Sequence, residues 1–315
     1  MAENRVLVAI DALPSLSPHA IELLDLQIED ADAESHLLHV VNGEPPLAAK
    51  LIGAANSAAF GLSRVRFGTV PLAIRRIGLR RSIQLCTAAL VGQPLEVGLR
   101  PEQRMHLWRH ALTTAVVAAE LARRQGIDPG KAYLAGLLHD IGYMFAELRE
   151  PGVLARLEAL AIDQETTIDL LEASVLGCGH GEITGELLTY WKLPRALVEL
   201  FRDHHRLPPS PASLASVVAT AEHFARLADV TEAFPGDLGS LFAGIAPDPE
   251  ALAAEVGALF EIDGAEFERM LRRVQAQVAE IAGLAAAMST PARPPDGGAH
   301  PPSGRVSRSD GRAVQ

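Results

Sequence analysis

The sequence predicts an all-α protein. Two packed helical bundles occupy residues 8–100 and 101–230, a helical extension follows over 231–288, and a disordered tail ends the chain over 289–315. Three observations carry that prediction. Aromatic residues make up only 4% against 48% hydrophobic overall, and alanine and leucine dominate, a balance that suits helices better than strands. Apolar residues recur at helical spacing in segment after segment. Proline and glycine sit where helices start and stop rather than inside them.

Taken in order, "LPSLSPHAIELLDLQIEDADAESHLLHVV" reads as two small helices, with Ile21, Leu24 and Ile28 on one stripe and Leu37, Leu38 and Val41 on the next. "GEPPLAAKLIGAANSAAFG" starts a third at its prolines, where the first turn lacks hydrogen-bond partners anyway. Thr69 is placed to cap "TVPLAIRRIG", which Gly78 ends, and "LRRSIQLCTAALVGQP" follows up to its own stop signal. From Pro101 the helices lengthen. "PEQRMHLWRHALTTAVVAAELARRQG" closes at Gly126, and "DPGKAYLAGLLHDIG" carries Leu134, Leu138 and Ile141 on one stripe. "HGEITGELLTYWKLP" puts His180, Thr184, Leu187, Leu188 and Trp191 on one face, and the next segment aligns Leu197, Leu200 and Phe201 with His204. "SPASLASVVATAEHFARLAD" lines up Leu214, Val217, Val218, Ala221 and Ala225. Beyond it, Phe267, Leu271, Val274, Val278 and Ile281 form a stripe suited to packing back on the bundle or against a partner chain, which leaves a homo-oligomer open. From Ser289 the chain has almost nothing to bury.

Composition excludes some functions. The net charge of −11 repels nucleic-acid phosphates, so no nucleic-acid partner is expected. No stretch is long and apolar enough for a bilayer and the N-terminus lacks a secretory pattern, so a cytoplasmic protein without membrane partners is expected. Cys86 and Cys178 belong to no CxxC pair and read as reduced and buried.

Seven polar residues interrupt the apolar faces of the second bundle: His110, His139, Asp140, His180, His204, His205 and Glu222. Imidazoles with a carboxylate suit divalent iron, manganese, zinc or nickel, so a transition metal is the cofactor they suggest. Side chains of adjacent helical residues diverge by roughly 100°, and one metal at a helix edge could engage both His139 and Asp140. One histidine on an apolar stripe is more often a hydrogen-bonded core group, and His204–His205 also suit a helix C-terminus. Seven such residues in order on one bundle are harder to dismiss as core groups, and both readings stay open.

The order "H…HD…H…HH" resembles the HD phosphohydrolase superfamily, whose bundle holds metals. "LPSLS", the Pro-Pro-Leu step of "GEPPLAAKLIGAANSAAFG", "AIRRIG", "AGLLHDIG" and "GHGEITGELLTYWKLP" narrow the resemblance to the HDOD family (HD-related output domain), over roughly residues 8–210. The resemblance makes the second bundle HD-phosphohydrolase-like. It implies a bacterial signal-transduction module acting mainly through contacts with other signalling proteins, with a metal-dependent phosphohydrolase, on cyclic nucleotides for example, as the alternative. Three departures from the cyclic-dinucleotide phosphodiesterases of the HD-GYP branch favour the non-enzymatic role. Tyr143 stands where that branch has lysine, "HHRLPPS" lacks the Gly-Tyr-Pro loop, and Glu222 replaces the usual aspartate, with Asp229 a weaker candidate.

Other features read as structural. Arg75, Arg76, Arg80 and Arg81 form a basic helical face with Leu72, Ile74 and Ile77 interleaved as core. Asn56–Ser57 suit backbone hydrogen bonds at a turn. Glu172 suits either support of a neighbouring histidine or an exposed position, and Tyr143 and Trp191 read as packing residues.

Overall fold

Pro18, Pro45, Pro71, Pro101, Pro129 and Pro249 each fall in the first turn of a helix, where a missing N–H costs nothing. A computed structural model describes residues 15–26, 30–57, 66–193, 195–202, 204, 213–231 and 248–289. Ile28, His205, the connection over 232–247, the tail from residue 290 and the side chains of Leu197, Asp229 and Val278 lie outside the described residues. Among those described there is no strand. The first five helices are α1 (Pro18–Asp25), α2 (Ala33–Gly43), α3 (Pro45–Ala55), α4 (Val70–Ile77) and α5 (Leu79–Gly92). A short 3-10 turn, Glu96–Gly98, leads into α6 (Pro101–Arg124), α7 (Pro129–Leu138), α8 (Ile141–Arg149), α9 (Val153–Asp163) and α10 (Ile168–Val175). Then come α11 (His180–Tyr190), α12 (Arg195–Arg202), α13 (Leu214–Thr231), α14 (Pro249–Phe260) and α15 (Gly264–Ser289).

Local chemistry sets many of these ends. Ser17, Asp128 and Asp248 accept hydrogen bonds from N–H groups of the first turns of α1, α7 and α14. Thr69 takes the capping position of α4 but its side chain makes no capping hydrogen bond. Gly78 ends α4 with φ at 90°, a conformation that a Cβ would disfavour. Asn56 exchanges hydrogen bonds with the Phe67 backbone at 2.8 and 2.9 Å, and Ser57 donates to Ala54 O, so both act on backbone as expected. Leu72 departs from its expected core role: it is 44% exposed, while Ile74 and Ile77 on the inner face of α4 are buried.

The long helix α6 is the axis of the molecule. One apolar core joins α1–α5 to one side of it, through Trp108 and Leu112, and continues through α7–α12 to Ile281, Leu284 and Met288 of α15. A second core packs Val117, Leu121 and Ala122 against Phe224 of α13, Val256 of α14 and Phe267 and Met270 of α15. The stripe on α15 therefore packs back on the same chain, against α6 and α3. Each large side chain so buried contributes about 1.5–3 kcal/mol.

A partly exposed pair helps fasten α14. His223 Nδ1 lies 3.3 Å from Glu255 Oε2, and Thr220 donates to the other oxygen at 3.0 Å. The hydrogen bond to Glu255 raises the His223 pKa from 6.5, and the same bond lowers that of Glu255 from 4.5. The histidine's contribution to stability is thus full below pH 6.5 and fades as pH rises through its raised folded value. The glutamate's is full above pH 4.5 and fades as pH falls through its lowered one. Calorimetry of His223→Gln should show a flatter melting temperature above pH 6.5 than the parent, with a loss of a few tenths of a kcal/mol near pH 6. An unchanged profile would mean that the pair adds nothing.

Candidate metal centre

The segment "GLLHDIGY" does not run on as one helix. α7 ends at Leu138, His139 and Asp140 form the turn, and α8 starts at Ile141, so the two side chains leave a bend rather than a helix edge. Thr184 of α11 pins that bend: its hydroxyl donates to His139 O and accepts from Gly142 N, both at 3.1 Å. Close approach needs glycine here. A Cβ on Gly142 would stand 2.3 Å from His180 O, and one on Gly136 would stand 2.6 Å from Ala115 Cα of α6.

This packing brings together five of the seven residues singled out in the sequence. Asp140 lies at the centre, with Oδ2 at 3.1 Å from His139 Nε2 and 3.4 Å from His110 Nε2, and Oδ1 at 3.3 Å from His180 Nε2. His204 Nε2 lies 3.3 Å from His180 Nε2. Two triads result, His110–His139–Asp140 and Asp140–His180–His204, each with its ligand atoms within 4.8 Å of one another. All five residues are buried, Asp140 the most exposed at 4%. His205 lies outside the described residues.

The ring nitrogens facing away from Asp140 decide what those facing it can do. Nδ1 of His139 donates to Gly136 O at 2.8 Å, Nδ1 of His204 to Phe201 O at 2.7 Å, and Nδ1 of His180 to Glu172 Oε1 at 2.6 Å. In each neutral ring the proton then sits on Nδ1, and the Nε2 lone pair points into the cluster. His139 Nε2 and both oxygens of Asp140 are buried and have one another and the other ring nitrogens of the cluster as close polar neighbours. Convergent lone pairs of this kind fit a divalent transition metal, with the Nδ1 acceptors fixing each ring as outer partners do at metal-bound histidines.

Without a cation, protons serve instead. Burial alone would lower the His180 pKa, but Glu172 beside Nδ1, followed by Asp140 and Glu222, raises it to about 9. Burial alone would likewise raise the Asp140 pKa, and the surrounding His139, His180 and His110 hold it below the usual carboxylate range. A proton and a metal compete for the same nitrogens, so acid weakens metal binding.

Three neighbours complete the site. Glu172 is buried rather than exposed, accepting from the backbone N–H of His180 at 2.7 Å as well as from its ring. Tyr143, expected to serve packing alone, also donates its hydroxyl to Glu172 and stacks on His180 with centroids 4.3 Å apart. Arg226 was not singled out in the sequence. It pairs with Glu222 one turn earlier on α13 and with Asp169 at 3.5 Å. Glu222 therefore stands beside the cluster, 3.9 Å from His204 Nε2, and belongs to neither triad. The i,i+4 spacing of Glu222 and Arg226 was the available signal for that pairing.

Comparison with known proteins identifies the family and the fold. The HDOD domain family matches residues 13–207. A Treponema pallidum protein, named only as uncharacterized, is 29% identical over 214 residues, which cover 67% of this chain. The chain spans about two fifths, 41%, of that relative's length. A crystal structure from Marinobacter aquaeolei, whose name proposes a signal-transduction protein, superposes with a TM-score of 0.70 at 22% identity, covering 92% of this chain and 62% of that one. A second, from Shewanella amazonensis, whose name proposes a phosphohydrolase, gives 0.64 at 24% identity, covering 89% and 97%. At these identities the likeness establishes the all-helical fold. Among the described residues no helix is long and apolar enough to cross a membrane.

Proposed function

Because this chain belongs to the HDOD family, we propose that it is a signal-transduction protein that works by contact with other signalling proteins, its second bundle holding a metal centre that is structural or sensory rather than catalytic. One observation carries this reading: the five convergent ligand residues are closed off from solvent. Such burial is in keeping with ions that serve the fold or a sensing role. Two neighbouring side chains that could face a phosphoryl group are also engaged within the protein. Tyr143 replaces the lysine of the active branch and is bonded to Glu172, while Arg226 is bonded to Glu222 and Asp169. The Marinobacter name is in keeping with the signalling role.

A metal-dependent phosphohydrolase is the second reading. It rests on the two triads of candidate ligands that share Asp140, and it accords with the Shewanella name. Bound divalent cations would supply Lewis acidity and would lower the pKa of water so that hydroxide is available to attack phosphorus near neutral pH. His110, His139, Asp140, His180 and His204 would hold them, and Glu172 would keep His180 oriented.

Metal analysis of untagged protein, loaded anaerobically with iron, manganese and zinc in turn, separates the readings. We expect about one to two equivalents of one of these ions, falling below about a tenth in a folded Asp140→Ala variant, with bis(p-nitrophenyl) phosphate hydrolysis at background in both. Metal-free parent protein would refute the centre. Hydrolysis by the loaded parent that disappears in Asp140→Ala would establish the enzyme instead.

A further inference from the structure

A cavity of about 330 Å³ opens between α3, α5, the Glu96–Gly98 turn and the start of α6, and none of the five clustered ligand residues lines it. That volume lies at the lower end of small-molecule sites. Its walls are mainly apolar, with Leu47, Leu90 and Val97 among them, and two cations, Lys50 and Arg104, are set into them.

The charges in this cavity are unevenly satisfied. Lys50, 8% exposed, lies 3.3 and 3.4 Å from the two Glu96 oxygens and also donates to Met288 O at the end of α15. Glu96 further accepts from Trp108 Nε1 at 2.9 Å, and Glu44 is bonded to His19 Nδ1 at 3.0 Å. Both carboxylates therefore have partners. Arg104 differs: its Nε is buried with no hydrogen-bond partner among the described residues. Burial lowers the Lys50 pKa, Glu96 raises it and the nearby Arg104 charge lowers it, so an anion beside the two cations would offset their mutual repulsion. A guanidinium offers paired donors that match a planar carboxylate. A phosphate dianion would instead meet the carboxylates of Glu44 and Glu96, and the apolar walls call for an organic body.

We infer that this cavity is a binding site for a small monocarboxylate with an apolar body, its carboxylate held by Arg104 beside Lys50 and its body laid on Leu47, Leu90 and Val97. Lys50, beside the proposed carboxylate, also donates to Met288 O at the end of α15.

Titration calorimetry on the full chain tests the site, with hexanoate as the probe and hexan-1-ol, hexylamine and hexyl phosphate as comparisons. Saturable binding of hexanoate at one equivalent is expected, at least about tenfold tighter than each comparison, a preference equal to about 1.4 kcal/mol. Arg104→Gln should weaken it by at least about tenfold with an unchanged circular dichroism spectrum. Gln93→Trp, a change at an exposed residue of the rim that leaves the fold alone, should block it even if the Arg104 variant fails to fold. No saturable hexanoate binding, equal binding of the alcohol, tighter binding of the phosphate, or full binding by Gln93→Trp would each overturn the assignment.

Discussion

Replacing Arg226 with methionine is expected to destabilise the protein by about 3–5 kcal/mol, because it strands a carboxylate in the interior. Glu222 is 1% exposed and Arg226 8%, so neither has water to fall back on. The guanidinium satisfies one Glu222 oxygen from the next turn of α13 and reaches Asp169 of α10 as well. Removing both charges should cost much less than removing one, since the expense lies in the unpaired group left behind. Urea denaturation of Arg226→Met, Glu222→Gln and the double variant gives the coupling energy directly. A single-variant loss below about 1 kcal/mol would show that the pair is solvated in practice. Freed from arginine, Glu222 also becomes able to turn toward His204, and added zinc or manganese should restore part of the lost stability.

Gly142→Ala is the second large effect expected, and its sign runs against helix propensity. Alanine normally favours a helix over glycine by about 1 kcal/mol. Here the added Cβ would stand 2.3 Å from the His180 carbonyl and 2.8 Å from Thr184 Oγ1, so α8 and α11 must part. A net loss of about 2 kcal/mol or more follows from overpacking against backbone that cannot yield. The same movement separates Asp140 from His180, so the metal content should fall together with the melting temperature. Gly264→Ala is the control: nothing lies within 4 Å of its would-be Cβ, and its melting temperature should not drop. Equal behaviour of the two variants would show that the close approach at Gly142 is not a constraint.

Much of this architecture was legible in the sequence because its signals are local. Proline in a first turn, aspartate or serine before it, and apolar residues every three or four positions mark helices without knowledge of their neighbours. The alignment of His110, His139, Asp140, His180 and His204 was legible for the same reason, each breaking the apolar face of its own segment. What escaped depended on which surfaces meet. Leu72 follows the apolar rhythm of α4 yet lies on its outer side. The bend after Leu138 is set by Thr184, some 45 residues away from His139 along the chain, and nothing between Leu137 and Ile141 announces it. Tyr143 looks like a packing aromatic until the fold places Glu172, 29 residues on, against its hydroxyl. Glu222 and Arg226 could have been read as a pair from spacing alone, but burial is what makes that pair costly to break.

The placement of α15 has a consequence for how the molecule is made. Lys50 of α3 reaches Met288 O, Gly53 lies close enough that a Cβ would touch Ala287, and Val117 and Leu121 of α6 share a core with Phe267 and Met270. During synthesis, α3 and α6 leave the ribosome long before the helix that covers them. At about 5–20 residues per second those apolar faces wait on the order of ten seconds or more for their partner. A nascent chain stalled between α13 and α15 would present an adhesive surface to chaperones and to other unfinished copies.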